Sequence, residues 1–227
     1  MKFHAPPRFA LALAAGLVSG CLPMDLPPAG SYSEVLLVSE DGAEDVAARA
    51  LASYLTRPID YYVDEDEPFT VAHIRAADLI DPPQVKNIVI CGVANPVSSV
   101  GRYILSQLGD GGADRVRAGE ATVFKRENLP ATGQLTLIVT SATSEGLTDV
   151  IESRGEQIVE TIEASCRMRL RDHLLKYEDK QIARKLRETY GFTVRVPTEY
   201  KLLGEERDPP GVELLREGPA RLLGVFW

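Results

Sequence analysis

Hydrophobic positions follow two rhythms along this chain. The first belongs to strands. Glu34–Ser39 reads Glu-Val-Leu-Leu-Val-Ser and Asn87–Val93 reads Asn-Ile-Val-Ile-Cys-Gly-Val. Near-continuous apolar runs this short, bounded by turn formers, predict strands buried on both faces. Asn87–Val93 is the most strand-like of them and is expected at the centre of a sheet. Phe69–Ile74 and Phe192–Val196 alternate apolar with polar, as half-buried strands do, and Pro197 stops the second. Ala121–Arg126 and Gln134–Thr140 are expected to pair as a hairpin across a loop holding Pro130 and Gly133.

The second rhythm is helical. Ala43–Leu55 carries Val46, Ala50, Leu51, Tyr54 and Leu55 on one side, and Pro58 bars its continuation. Val97–Leu108 is expected as a helix that ends in the loop Gly109-Asp110-Gly111-Gly112, with Ser98-Ser99 as N-caps. Over Ser144–Leu175, Ile158, Ile162, Cys166, Leu170 and Leu174 recur every four residues as a core-facing stripe. Glu178–Tyr190 is a charged helix with Ile182 and Leu186 inward, and Gly191 stands where a left-handed C-cap belongs. Beyond Lys201 the sequence reads as loop through Pro209-Pro210-Gly211, then ends on Leu222-Leu223-Gly224-Val225-Phe226-Trp227, a final strand or a sheet cut short. Helices and strands mix without strict alternation. The expected class is therefore α+β, an antiparallel or mixed sheet covered by helices, with an arrangement of two similar halves left open.

The first thirty residues have neither rhythm. Lys2 and Arg8 precede an apolar stretch from Phe9 to Val18, with no acid among them. Ten residues are too few to cross a hydrocarbon core of roughly 30 Å as a helix, but suit a signal peptide. Ser19-Gly20-Cys21 turns this leader toward the lipoprotein pattern, with cleavage after Gly20 and acylation of Cys21. Several acyl chains on Cys21 would hold the protein durably, at about 0.8 kcal/mol per buried methylene. Leu22, in place of an aspartate, favours the outer membrane. Residues 1–20 are thus expected to be a signal peptide and 21–30, with Pro23, Pro27 and Pro28, a lipidated tether. Residues 31–227 are expected to form one α+β body.

Charge narrows the partners. The chain has a net charge of −8, and removal of a leader holding Lys2 and Arg8 takes it to −10. Nucleic acid, which needs a basic footprint, is excluded as a partner, and adhesion to membranes must come from the lipid. Cys91 and Cys166 are compatible with a disulfide in an oxidising envelope and equally with two free thiols.

The lipobox, Ser33-Glu34-Val35-Leu36-Leu37-Val38, Glu67-Pro68-Phe69, Asn87-Ile88 and Phe192-Thr193-Val194-Arg195-Val196-Pro197 with Tyr200 occur in that order. Together they resemble a family of uncharacterised bacterial lipoproteins, a domain of unknown function typical of Bacteroidota and related phyla. The resemblance covers the chain from about Ser31 and implies an envelope location. It implies no catalytic residue.

Candidate chemistry is sparse. Tyr61, Tyr62, Asp64, Asp66 and Glu67 form an aromatic and acidic loop, a candidate ligand site for an envelope protein or glycan partner. As a calcium loop it fails, because Phe69 stands where the turn needs glycine. With His73 and His173 the only histidines after the leader and no paired Cys-x-x-Cys, neither a metal nor any other cofactor is expected. Arg167 and Arg171, with Arg184, Lys185 and Arg187 on the next helix, form a solvated face or a basic patch for an anionic envelope ligand. No nucleophile elbow, Ser-x-x-Lys pair, Walker loop or dinucleotide fingerprint occurs. The expected role is that of a lipid-anchored cell-envelope protein that binds or supports. The alternative is an envelope hydrolase with a site assembled from scattered residues such as His73, Asp66 and Ser98.

Overall fold

The computed structural model describes residues 30–60, 65–66, 68–79, 85–120, 122–128, 133–203, 211–218 and 220–226. The protein is an α+β fold with one mixed and one antiparallel sheet of substantial size. The larger sheet has five strands, β1 (Glu34–Ser39), β4 (Thr70–Arg75), β5 (Asn87–Val93), β6 (Val123–Glu127) and β7 (Leu135–Ser141), in the order β4-β1-β5-β7-β6. The first four in that order run parallel; β6 lies antiparallel against β7 as the expected hairpin. A two-stranded ribbon, β2 (Ile59–Asp60) and β3 (Glu65–Asp66), stands apart from both.

Side-chain alternation along the central strands divides the core in two. Val35, Leu37, Val89, Cys91, Leu137 and Val139 face α1 (Val46–Leu55) and α3 (Ser144–Leu174). Leu36, Val38, Ile88, Ile90 and Ile138 face α2 (Ser99–Arg117) on the other side. β5 is therefore central and covered on both faces, which is why its apolar run is unbroken. The link from β4 to β5 must cross β1 to reach its place. Ala76, Leu79 and Val85 of that link pack on the α2 side.

The smaller sheet follows α4 (Lys180–Tyr190) and consists of β8 (Tyr200–Leu203), β9 (Gly211–Glu217) and β10 (Ala220–Phe226), all antiparallel, in the order β10-β9-β8. Its core is Leu186 of α4 with Val196, Val212 and Leu214. Among the described residues the five-stranded mixed sheet and the three-stranded antiparallel sheet do not repeat one another.

Three expectations are corrected. The glycine stretch 109–112 does not end α2; the helix breaks at Gly109 (φ 64°, ψ 179°) and resumes to Arg117, carrying Val116 back into the core. Phe192–Val196 runs without ladder pairing; only Pro197 bridges to Glu178. The stripe along α3 is core-facing only at first. Ile158 and Ile162 are buried, Cys166 is half-buried, and Leu170 is 40% exposed. A helix of 31 residues is about 46 Å long, and a strand of seven about 23 Å. The last turns of α3, beyond Arg169, therefore overrun the large sheet. Cys91 and Cys166 are both free thiols.

Candidate functional site

This layout accounts for two of the concave places among the described residues. One lies at the carboxyl ends of the parallel strands. After β1 the chain turns to α1 on one face; after β5 it turns to α2 on the other. Divergence of this kind opens a crevice at the strand ends, the usual ligand position in sheets of parallel strands. Here it measures about 480 Å³ and is lined by Glu40, Asp41, Glu44, Asp45, Asn95 and Ser98, among others.

Its chemistry is already satisfied from within. Ser98 caps α2, its Oγ accepting from Gly101 N at 3.0 Å. The Glu40 carboxylate accepts from Ser99 N at 3.0 Å and Val100 N at 2.8 Å. Asp45 and Thr143 cap α1 and α3 in the same way. The positive ends of three helices would otherwise favour an anion. The chain's own side chains hold those amides, and the surrounding carboxylates repel anions. Gly101 lets α2 start this close: a Cβ there would overlap the backbone oxygen of Asn95 and approach that of Val93 at 2.7 Å.

The second place is a groove of about 360 Å³ between the overhanging end of α3 and the small sheet. Its floor is apolar, with Val196 and Leu214 buried and Leu170, Leu174, Val194 and Leu223 along the walls. Five arginines surround it: Arg167 and Arg171 from α3, Arg195, Arg216 of β9 and Arg221 of β10. Arg221 stands directly across the ladder from Arg216, and Tyr200 flanks Arg216 on β8. Like charges opposite each other on adjacent strands are unfavourable in a sheet, and Glu199 offsets part of that cost at Arg216.

Four of the arginines have carboxylate partners: Glu163 for Arg167 (3.0 Å), Asp172 for Arg171 (2.9 Å), Glu178 for Arg195 (2.9 Å) and Glu199 for Arg216 (3.5 Å). None of these acids lines the groove. Arg167, Arg171 and Arg195 are 70%, 60% and 56% exposed, while Arg216 is only 14% exposed. The exposed ion pairs of Arg167 and Arg171 contribute about 0–1 kcal/mol each, little enough for a ligand to compete. The setting reinforces them: residues 167–227 hold 13 Lys and Arg against 10 Asp and Glu, while residues 1–166 hold 12 against 23.

The residues singled out from sequence are distributed otherwise. Gly20, Cys21, Tyr61, Tyr62, Asp64 and Glu67 lie outside the described residues; Asp66 contributes its backbone to β3. His73 sits on edge strand β4 opposite Leu37, on the α1 face, with a buried Nδ1 that has no partner. Ser98 begins the helix on the opposite face, so a site uniting His73 with Ser98 does not form. Arg167 and Arg171 do line the groove, joined by Arg195, Arg216 and Arg221 in place of the α4 basics. Cross-strand neighbours leave no local motif, which is why Arg216 and Arg221 escape sequence reading. Arg169, also unflagged, faces away: it donates to Lys86 O (2.8 Å), Gly133 O (2.9 Å) and Asn87 Oδ1 (2.5 Å), tying α3 to the starts of β5 and β7.

Burial pushes the Cys91 thiol up to about 12, with Asp45 adding to it. It raises Cys166 as well, against the opposing pull of Arg169. Both thiols are poor nucleophiles in the folded state. Among the described residues no cluster of His, Cys, Asp or Glu suits a metal ion, and no helix is long and apolar enough to cross a membrane. Comparison of the chain with family models, curated proteins and solved structures gave no match.

Proposed function

We propose that this chain is a cell-envelope lipoprotein, anchored through Cys21, whose body binds a negatively charged ligand without turning it over. One observation supports the reading above the rest: on an acidic chain, five arginines surround one apolar groove, two of them as cross-strand neighbours. The other crevice favours catalysis less, since Ser98, Glu40 and Asp45 are committed to helix ends.

Anilinonaphthalene sulfonate, an anionic aromatic probe, tests this on the full-length protein in nanodiscs of zwitterionic lipid, with empty discs as blank. The expected result is saturable fluorescence that Arg216→Gln with Arg221→Gln weakens by about tenfold, or about 1.4 kcal/mol. Unchanged fluorescence in that double variant would overturn the reading. So would turnover of ester, glycoside, phosphate or peptide substrates that a pocket Ser, Asp or His variant abolishes.

A further inference from the structure

Half-exposed apolar side chains in an arginine-rimmed groove narrow the ligand further. We infer that the groove takes a single-chain anionic amphiphile, its carboxylate or phosphate head on Arg216 and Arg221 and its hydrocarbon chain along Leu214 and Leu223. The inference rests on the anion-binding reading above and adds the chain.

Three features carry it. The first is the division of polarity. Arg216 and Arg221 stand side by side on β9 and β10, and two residues along the same ladder, on the same face, stand Leu214 and Leu223. Two neighbouring guanidiniums offer forked donors to a carboxylate or phosphate, which matches their planar geometry. The paired leucines continue the same face as an apolar track.

The second is unsatisfied apolar surface. Leu223 is 53% exposed, Leu170 40% and Val194 37%, all within the groove. A bare phosphate or sulfate would leave that surface wet. A hydrocarbon chain would cover it, at about 25 cal/mol per Å² removed from water.

The third is size. At about 360 Å³ the groove lies at the low end of small-molecule sites, which span about 300–1,000 Å³. That is room for one chain, and a two-chain phospholipid would not be enclosed. A protein partner would need a far broader patch, about 800 Å² on each side. An acidic peptide would meet the arginines but leave the leucine track uncovered.

The full-length protein in zwitterionic nanodiscs, blanked against empty discs, is titrated calorimetrically. The ligands are butyl, hexyl and octyl phosphate, inorganic phosphate, octanol and a polyglutamate peptide. Affinity is expected to rise by about three- to fourfold per methylene from butyl to octyl. Phosphate and octanol should each bind far more weakly than octyl phosphate. Arg216→Gln with Arg221→Gln should lose about tenfold for octyl phosphate, and the paired Lys substitutions should recover part of it. Leu223→Asn should flatten the chain-length series.

Failures separate cleanly. Equal affinity for phosphate and octyl phosphate overturns the amphiphile and leaves the anion site standing. Arginine-dependent binding of polyglutamate without alkyl phosphate binding does the same and names a peptide instead. Octanol binding as tightly as octyl phosphate, or no ligand binding at all, overturns both readings.

Discussion

Single residues in this protein are most informative where burial meets chemistry. Cys91 sits within β5 with its thiol raised from 9.0 to about 12. In the unfolded chain that thiol ionises first, so stability must fall as pH climbs from 9 toward 12. The expected slope approaches 1.4 kcal/mol per pH unit, taken as about one pKa unit's worth. Denaturant unfolding at rising pH, compared with Cys91→Val, checks it; an equal slope in the variant would refute the assignment. Arg169 makes a second case. Its planar fork serves three acceptors at once, on Lys86, Gly133 and Asn87. Arg169→Met should cost about 2–3 kcal/mol by stranding half-buried oxygens. Arg169→Lys should restore little, because an ammonium cannot span them. A chemical melt of the two variants decides it. Nothing local to Arg169 in the sequence marks this tie, since these three acceptors lie 36 to 83 residues away.

Secondary elements were legible where one side-chain period ruled. Asn87–Val93 appears with the boundaries its apolar run suggested, and α3 begins at Ser144 behind the Thr143 cap. Gly191 takes the left-handed cap conformation, φ 76°, that ends α4. Pairing direction was harder to read. Among the described residues only a short 3-10 helix, Ala76–Asp78, separates β4 from β5, which resembles a meander, yet both lie parallel to β1 on its two sides. The α2 break shows a related limit: Gly109 does leave helical geometry, as glycine permits, but tertiary contact of Val116 restarts the helix beyond it. The centrality of β5 is directly testable. Ile90→Asp places an unpaired carboxylate at a site 1% exposed, between β1 and β7 and beneath α2. A loss of several kcal/mol is expected, close to the whole stability of such a domain. Failure of the variant to express folded, against a parent that melts cooperatively, is the expected outcome; an unchanged melting temperature would contradict the packing.

For the whole molecule, the amino-terminal leader and the carboxy-terminal arginines make separate claims. The proposed anchoring rests on Cys21: under that proposal Cys21→Ala is expected to abolish labelling by a fatty-acid probe and to leave the protein uncleaved or released from membranes. Persisting label on that variant would refute the lipoprotein reading. The groove depends on three remote stretches, the end of α3, the segment around Arg195 and the β9–β10 hairpin. Only the α3 arginines showed periodic spacing in the sequence. Arg216 and Arg221 are five residues apart on either side of a turn, and a ladder register, invisible in a single sequence, makes them neighbours.

Because α3 outruns the large sheet, one helix belongs to two environments of unequal firmness. Its first half is locked under the five-stranded sheet by Leu147, Ile151, Ile158 and Ile162. Its last turns rest on a small sheet and an open groove. Amide hydrogen exchange should therefore grade along a single helix. Protection should approach the global unfolding limit before Ile162 and fall to a local-opening limit beyond Arg167. A ligand in the groove would slow exchange in the distal turns and leave the proximal ones unaltered. Uniform protection along all of α3 would mean that the overhang is as cooperative as the core. A graded profile would make the distal half a reporter of occupancy, read peptide by peptide without a label.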